Sequence, residues 1–437
     1  MFSNKDLRRL IIPLVIGQLL AVTIGMGDTV MVSSCGEAAV SGISLVDSIN
    51  FLLITLFSSL ATGGAVIASQ YIGRGDHKSA SLAAKQLFYA SLALSAVLGV
   101  IAVFFRRPVL NMVFGSIEAD VMAHAQIYFL LSAISYPFLA VYNAGAALFR
   151  SMGDSRTTML ISILMNTINI VGNAVLIYGF QMAAAGAAAA SLVSRAVGAI
   201  IITVLLLNPR RIIFYDKLHK PEIHLSMLKS ILQIGVPNGL ENSIFQIGKI
   251  LVASIVSGFG TISITANAVA GNLASLQVIP GMALGMAMIT VVGQCIGAKD
   301  YEAVKKYTKK LMLITYGVVW AMTLLMLLFS KQILSFYSLS AETTTMTMEV
   351  FIVHGICAVI VWPLAFALPN ALRAANDVRF TMIVSLLSMW IFRIGFSYIL
   401  AIYFNMGILG TWIAMCIDWF CRGACFVIRF ARGKWKN

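Results

Sequence analysis

The chain has 437 residues, of which 59% are hydrophobic and only 11% charged, with a formal net charge of +14. A soluble domain carries about 25% charged residues, so the polar surface here is too small to cover a water-soluble globule, and lipid is the expected solvent. The basic residues stand between apolar stretches and not on one soluble domain, which excludes nucleic acid as a partner, and the six cysteines show no spacing of a disulfide framework or metal site.

In chain order, Lys5, Arg8 and Arg9 precede a long apolar run without a small-residue cleavage site, which is expected to stay as a first span. Apolar stretches lie at 10–32, 42–72, 82–105, 124–148, 158–180 and 184–207, and again at 228–257, 264–296, 308–329, 346–372, 380–404 and 407–430. Each is long enough for a spanning helix of about 20 residues. In lipid each segment must satisfy its own backbone hydrogen bonds, and strand alternation is absent, so an all-α membrane protein of twelve helices is predicted.

Lysine and arginine gather at every second joint: the N-terminus, Arg74 to Lys85, Arg150 to Arg156, Arg210 to Lys229, Lys299 to Lys310, Arg373 to Arg379, and the tail from Arg429. Under the positive-inside rule this alternation predicts that both termini are cytoplasmic. The tandem lysines of the joint at 299–310 are candidates for contact with anionic membrane lipid.

The two halves repeat. Gln70-Tyr71-Ile72-Gly73 followed by Asp76 recurs 224 residues later as Gln294-Cys295-Ile296-Gly297 followed by Asp300. The same offset joins Pro13 to Pro237 and Gly186 to Gly410, and Arg150, Asp154 and Arg156 match Arg373, Asp377 and Arg379 one residue short of it. Six spans per half, both halves starting inside, make a parallel repeat, and such repeats place a substrate path between the halves. The predicted division is an N-terminal lobe over 1–207, a cytoplasmic linker over 208–228, and a C-terminal lobe over 229–437.

Polar groups inside spans carry the functional signal, because an ionisable side chain at bilayer depth costs about 2.5–3.5 kcal/mol on insertion scales. Asp28 in Gly25-Met26-Gly27-Asp28-Thr29 is the first such group, and its repeat position is Val252. It is either a coupling carboxylate or the partner of a neighbouring side chain. In the fifth span Asn166, Asn169 and Asn173 are spaced to share one helical face. A ladder of amides either glues helices or binds a cation, and spacing leaves both open. Ser191, after a small-residue run in the sixth span, is placed to face the ladder. Together with Asp28 these groups would form an all-oxygen site for Na⁺, or hold a proton on Asp28.

Asp47, Arg195, Glu241, Lys249 and Arg393 are further candidates for cavity or gating roles. Glu241 and Lys249, eight apart, stand on one side of the seventh span and are a candidate ion pair. Arg393 is a candidate tether to Glu241 or a substrate contact, and Arg195 a candidate counter-charge for Asp28 or Asp47. Asp418 and Arg422 form an i,i+4 pair, expected near the cytoplasmic end and structural. Pro13, Pro137, Pro237, Pro280, Pro363 and Pro369 are expected to interrupt their spans. The absence of a Walker loop, GxSxG or HExxH motif points away from an enzyme and from any cofactor, and toward transport driven by an ion gradient.

With these residues in hand, the chain resembles the multidrug and toxic compound extrusion (MATE) transporters, in the wider group that includes polysaccharide and lipid-linked-precursor flippases. The likeness is carried by Pro13, Gln18 and the run Gly27-Asp28-Thr29-Val30-Met31-Val32, by the Gln70…Gly73…Asp76 and Gln294…Gly297…Asp300 joints, by Leu148-Phe149-Arg150 and Leu372-Arg373, and by Gly235-Val236-Pro237. It runs from about residue 7 to 430. It implies two pseudo-symmetric six-helix lobes in a V shape, alternating access, and export coupled to H⁺ or Na⁺. An adaptable lining drawn from the 22 methionines and 25 phenylalanines favours amphipathic, cationic small molecules, and the chain is expected to act as a monomer in the plasma (inner) membrane. It also implies an N-lobe cation site at Asp28, Asn169, Asn173 and Ser191. Another branch uses carboxylates in the second lobe, where this chain has Phe245 and Trp362, with Glu241 one turn earlier. A flippase for a lipid-linked precursor is the alternative that Arg195, Lys249 and Arg393 keep open, and a passive channel or scaffold is a second.

Overall fold

The fold is taken from a computed structural model, which describes residues 2–436 apart from 116, 117, 217, 219–221 and 338, and describes the side chains of α1 except at 23–30. The first half runs α1 (Asn4–Ser33), α2 (Glu37–Gly73), α3 (His77–Phe104), a short α4 (Arg106–Phe114), α5 (Ala119–Ser151), α6 (Ser155–Asn173) prolonged by a π-helical turn (Ala174–Gly179), and α7 (Ala183–Leu206). The second runs α8 (Leu225–Ser257), α9 (Thr261–Gly297), α10 (Tyr301–Leu328), a short α11 (Ser330–Ser335) and α12 (Ala341–Ile360). It continues through a π turn (Pro363–Ala367) into α13 (Leu368–Ala374), then α14 (Val378–Ser388), α15 (Phe396–Tyr398) between π segments Met389–Gly395 and Ile399–Tyr403, and α16 (Gly407–Ala431). Eleven of the described helices, some prolonged by π turns, are long and apolar enough to cross a membrane. With α1 the protein has the twelve predicted spans.

The sequence repeat reappears as matching element boundaries. α2 and α9 each have 37 residues, α3 and α10 each 28, and all start 224 positions apart. The capping chemistry repeats as well. Gly36 and Gly260 adopt φ of 93° and 90° ahead of the long helices, a left-handed backbone that costs glycine little. Asp76 accepts from Ser79 N at 3.0 Å and Asp300 from Ala303 N at 2.9 Å, which caps α3 and α10. The hydrogen bonds from Ser79 hold the Asp76 carboxyl below its usual range.

Four of the predicted proline breaks do not occur. Pro13, Pro137, Pro237 and Pro280 lie inside uninterrupted α-helices, because the neighbouring turns absorb one missing donor. Only Pro363 and Pro369 coincide with a break, the π turn and restart of the tenth span. The other π segments, in the fifth and eleventh spans, contain no proline.

Contacts group the chain into two compact units, Met1–Gly239 and Leu240–Asn437. In the first, Ile43, Val46, Phe57, Phe129 and Tyr136 form the core among α2, α5 and α7. The first turns of α8 belong to this unit, since Gly63 backs onto Gly235 so closely that a Cβ at Gly63 would lie 2.9 Å from the Gly235 nitrogen. The connection before α8 is fastened to α3: Gln86 Nε2 donates to Glu222 O at 2.6 Å, His224 N to Gln86 Oε1 at 3.1 Å, and Tyr89 Oη to Leu218 O at 2.8 Å. In the second unit Trp362, Trp412, Trp419 and Val350 make the core.

Candidate functional site

In the first unit two polar clusters sit inside the helices. At the end of α6, just before its π turn, Asn169 Nδ2 donates to Ser191 Oγ of α7 at 3.0 Å, and Asn173 Nδ2 reaches Asn169 Oδ1 at 3.5 Å. Both amides are buried. Tight packing brings α7 this close, since Gly172 faces Ala190 and Gly186 faces Leu176. Asn166 donates to Ser162 Oγ of its own helix at 3.4 Å. The structure thus joins Asn169, Asn173 and Ser191, while Asp28 lies outside the residues whose side chains it describes. α1 is fastened to α6 by Ser155 Oγ, which donates to Leu10 O at 2.5 Å.

The second cluster surrounds Asp47 of α2. Its Oδ1 accepts from Tyr128 Oη at 3.0 Å and Asn50 Nδ2 at 3.2 Å. Asn50 in turn accepts from Tyr136 Oη at 2.8 Å and donates to Ser132 Oγ at 3.3 Å. Arg195 of α7 donates to Ser135 Oγ at 2.7 Å. Arg195 and Asp47 form no ion pair; each is bonded to a different α5 hydroxyl, Ser135 and Tyr128. Asp47 is exposed although it lies ten residues, about 15 Å, along α2 from its first residue. Tyr128 and Tyr136, on the same face of α5, are partners the sequence reading missed, because a tyrosine in a span looks like any other core aromatic.

The second unit overturns two expected pairings. Glu241 pairs neither with Lys249 nor with Arg393. Its Oε1 meets Arg373 Nη2 at 2.7 Å and accepts from Ser385 Oγ at 2.7 Å, with Arg373 also bonded to Asn370 Oδ1 at 2.9 Å. Arg393 instead approaches Asp418 at 3.8 Å. Asp418 and Arg422 are not at a helix end: Asp418 is fully buried midway along α16, accepts from Ser388 Oγ, and pairs with Arg422 at 3.1 Å. Lys249 Nζ lies 5.2 Å from the centre of the Phe245 ring, and the guanidinium carbons of Arg393 and Arg422 lie 5.6 and 5.5 Å from it. Phe245 thus holds three cations at its ring. Nearby, His354 is buried, hydrogen-bonded through Nδ1 to Gln277 Oε1 at 2.8 Å, and boxed by Phe351, Trp412 and Trp419. Gln277 also bonds Thr323. A histidine among apolar neighbours gave no sequence pattern to find it by. Among the described residues no group of three His, Cys, Asp or Glu side chains is arranged to hold a metal ion.

The MatE family profile matches residues 13–175 and 237–399, two segments that are themselves 224 positions apart. The chain is 27% identical to the "Uncharacterized transporter YisQ" of Bacillus subtilis over 97% of its length and 93% of the relative's. It is 29% identical to the "Probable multidrug resistance protein NorM" of Bacillus cereus over 97% and 94%. A solved structure described as MATE in the bent conformation superposes with a TM-score of 0.89 at 20% identity, covering 98% of this chain and 94% of that one. This likeness shows the same fold. Repeated boundaries, twelve spans and a profile match across both halves lead to one conclusion: the chain is a multi-pass membrane protein of the MATE family of multidrug transporters.

Proposed function

We propose that this protein exports amphipathic, cationic small molecules across the plasma (inner) membrane in exchange for H⁺ or Na⁺, as a monomer with both termini in the cytoplasm. Its lobes are 1–207 and 229–437, joined by the linker 208–228. Asp28, Asn169, Asn173 and Ser191 form the coupling site, with Na⁺ taking oxygens of Asp28, Asn169 and Asn173 or a proton sitting on Asp28. The observation that carries this reading is the buried Asn169–Ser191–Asn173 cluster, which ties the fifth and sixth spans together next to a π turn. Such turns recur at functional sites because a helix can re-register there.

Cation uptake by Asp28 re-seats α1 against α6 and α7, and the N-lobe cavity loses room for the drug. Asp47, an exposed carboxylate at membrane depth, is the group that attracts a positively charged substrate. The test is dye efflux from vesicles holding the full chain, under H⁺ and Na⁺ gradients applied separately. Asp28→Asn should abolish efflux with insertion unchanged. Full efflux by that variant, or efflux indifferent to both gradients, overturns the coupling role.

A further inference from the structure

The cations around Phe245 exceed the carboxylates that neutralise them. Asp418 is already engaged by Arg422, whose Nη2 reaches its two oxygens at 3.1 and 3.3 Å, and by Ser388. Arg393 stands 3.8 Å from the same carboxylate, beyond hydrogen-bond reach, and its Nε and Nη1 have no acceptor although they are shielded from solvent. Lys249 is exposed, and among the described residues no carboxylate lies within ion-pair distance of it. Three like charges converge on one ring, and within ion-pair distance Asp418 alone among the described carboxylates answers them, Glu241 being paired with Arg373.

Their depth excludes a topology signal. Lys249 is eight residues, about 12 Å, from the end of α8, and Arg393 is ten residues, about 15 Å, from the end of its span. Uncompensated donors at such depth are kept for a ligand or an ion path. The surroundings say what kind of ligand. The exposed ammonium and the guanidinium nitrogens that lack an acceptor attract an anion, a guanidinium fork suits a carboxylate, and the half-buried rings of Phe245 and Phe366, 6.2 Å apart, offer an apolar rest for the body attached to it.

We propose that Lys249 and Arg393, set against Phe245, form an anion-binding site in the C-terminal lobe that takes the carboxylate of an amphipathic substrate. The proposal rests on the export reading for its word substrate, and widens the substrate class to molecules carrying an anionic group.

The test is equilibrium binding of radiolabelled 2-naphthoate, and of the neutral isostere 2-naphthamide, to the full chain in phosphatidylcholine nanodiscs. The acid should bind better than the amide. Lys249→Gln should lower naphthoate affinity roughly tenfold and leave naphthamide unchanged; Arg393→Gln should do the same. Equal binding of the two probes, or a Lys249→Gln variant that binds naphthoate like the parent, overturns the proposal. The exposed lysine keeps the test sharp if the arginine variant fails to fold. Replacing the lipid by phosphatidylglycerol should not displace naphthoate; displacement would assign the site to a lipid phosphate and overturn the substrate role. Asp28→Asn should bind naphthoate normally, so loss of efflux and loss of anion binding are separable results.

Discussion

The most informative single residue of the second unit is Glu241. At bilayer depth, a carboxylate bonded through its Oε1 to one arginine and one serine hydroxyl holds three helices at once: α8 by itself, α13 through Arg373 and α14 through Ser385. Removing one member of a buried pair leaves the other charge uncompensated, which costs about 3–5 kcal/mol, whereas removing both together costs far less. Glu241→Gln is expected to lower stability by about 3 kcal/mol in denaturant unfolding of the detergent-solubilised protein. Glu241→Gln combined with Arg373→Met is expected to recover most of that loss. If the double variant is as unstable as the sum of the singles, the pair is not the unit that matters. The spacing of Glu241 and Lys249 on one helix suggested a different partner. Nothing along a single helix shows that Arg373, 132 positions away, comes closer than a residue two turns on.

At the scale of elements, the repeat is also a packing rule. Gly410 sits where α16 crosses the last turns of the preceding span, and a Cβ there would lie 2.7 Å from the Ala401 nitrogen and 2.8 Å from the Leu400 carbonyl carbon. At Gly186, its counterpart, a Cβ would likewise lie 3.1 Å from Leu176 Cβ and 3.2 Å from its carbonyl carbon. Because backbone cannot give way as a side chain can, Gly410→Ala should cost about 1–3 kcal/mol and lower the melting temperature. Gly317, in the middle of α10 with open space around it, should tolerate alanine without loss. An equal effect at both positions would refute the close-packing account. The cap of α3 carries a pH signature. Asp76 is held below its usual range by the hydrogen bonds from Ser79, so its folded pKa is lower than its unfolded one. Its contribution is present above the unfolded value and is lost as pH falls below about 4. The first turn of α3 should fray on acidification, seen as loss of its amide signals, and Asp76→Asn should remove the pH dependence.

For the whole molecule, the described residues of the connection between halves are fastened at several points. The carbonyls of Leu218 and Glu222 and the amide of His224 are held by Gln86 and Tyr89, and Arg211 lies 4.7 Å over the Phe149 ring with Asp154 at 3.5 Å. Combining Gln86→Ala with Tyr89→Phe should free this segment and speed tryptic cleavage at Arg210 and Arg211 severalfold, without unfolding the helices; an unchanged rate would show that the fastening is not local. Twelve spans, their ends within three residues, their starts within seven, and the offset of 224 were all legible in the amino-acid order. They follow from hydrophobic length and from a backbone that must close its own hydrogen bonds in lipid, which are properties of one segment at a time. The amide cluster of Asn169 and Asn173 was legible for the same reason, since it lies on one helix. Which buried charge meets which, the Asp47–Tyr128–Asn50 network, the three cations around Phe245, the box around His354 and the π turns without proline were decided only by the tertiary structure. Each depends on the rotation and register of helices far apart in the chain, and those are set by side-chain packing between helices, a property no single span contains.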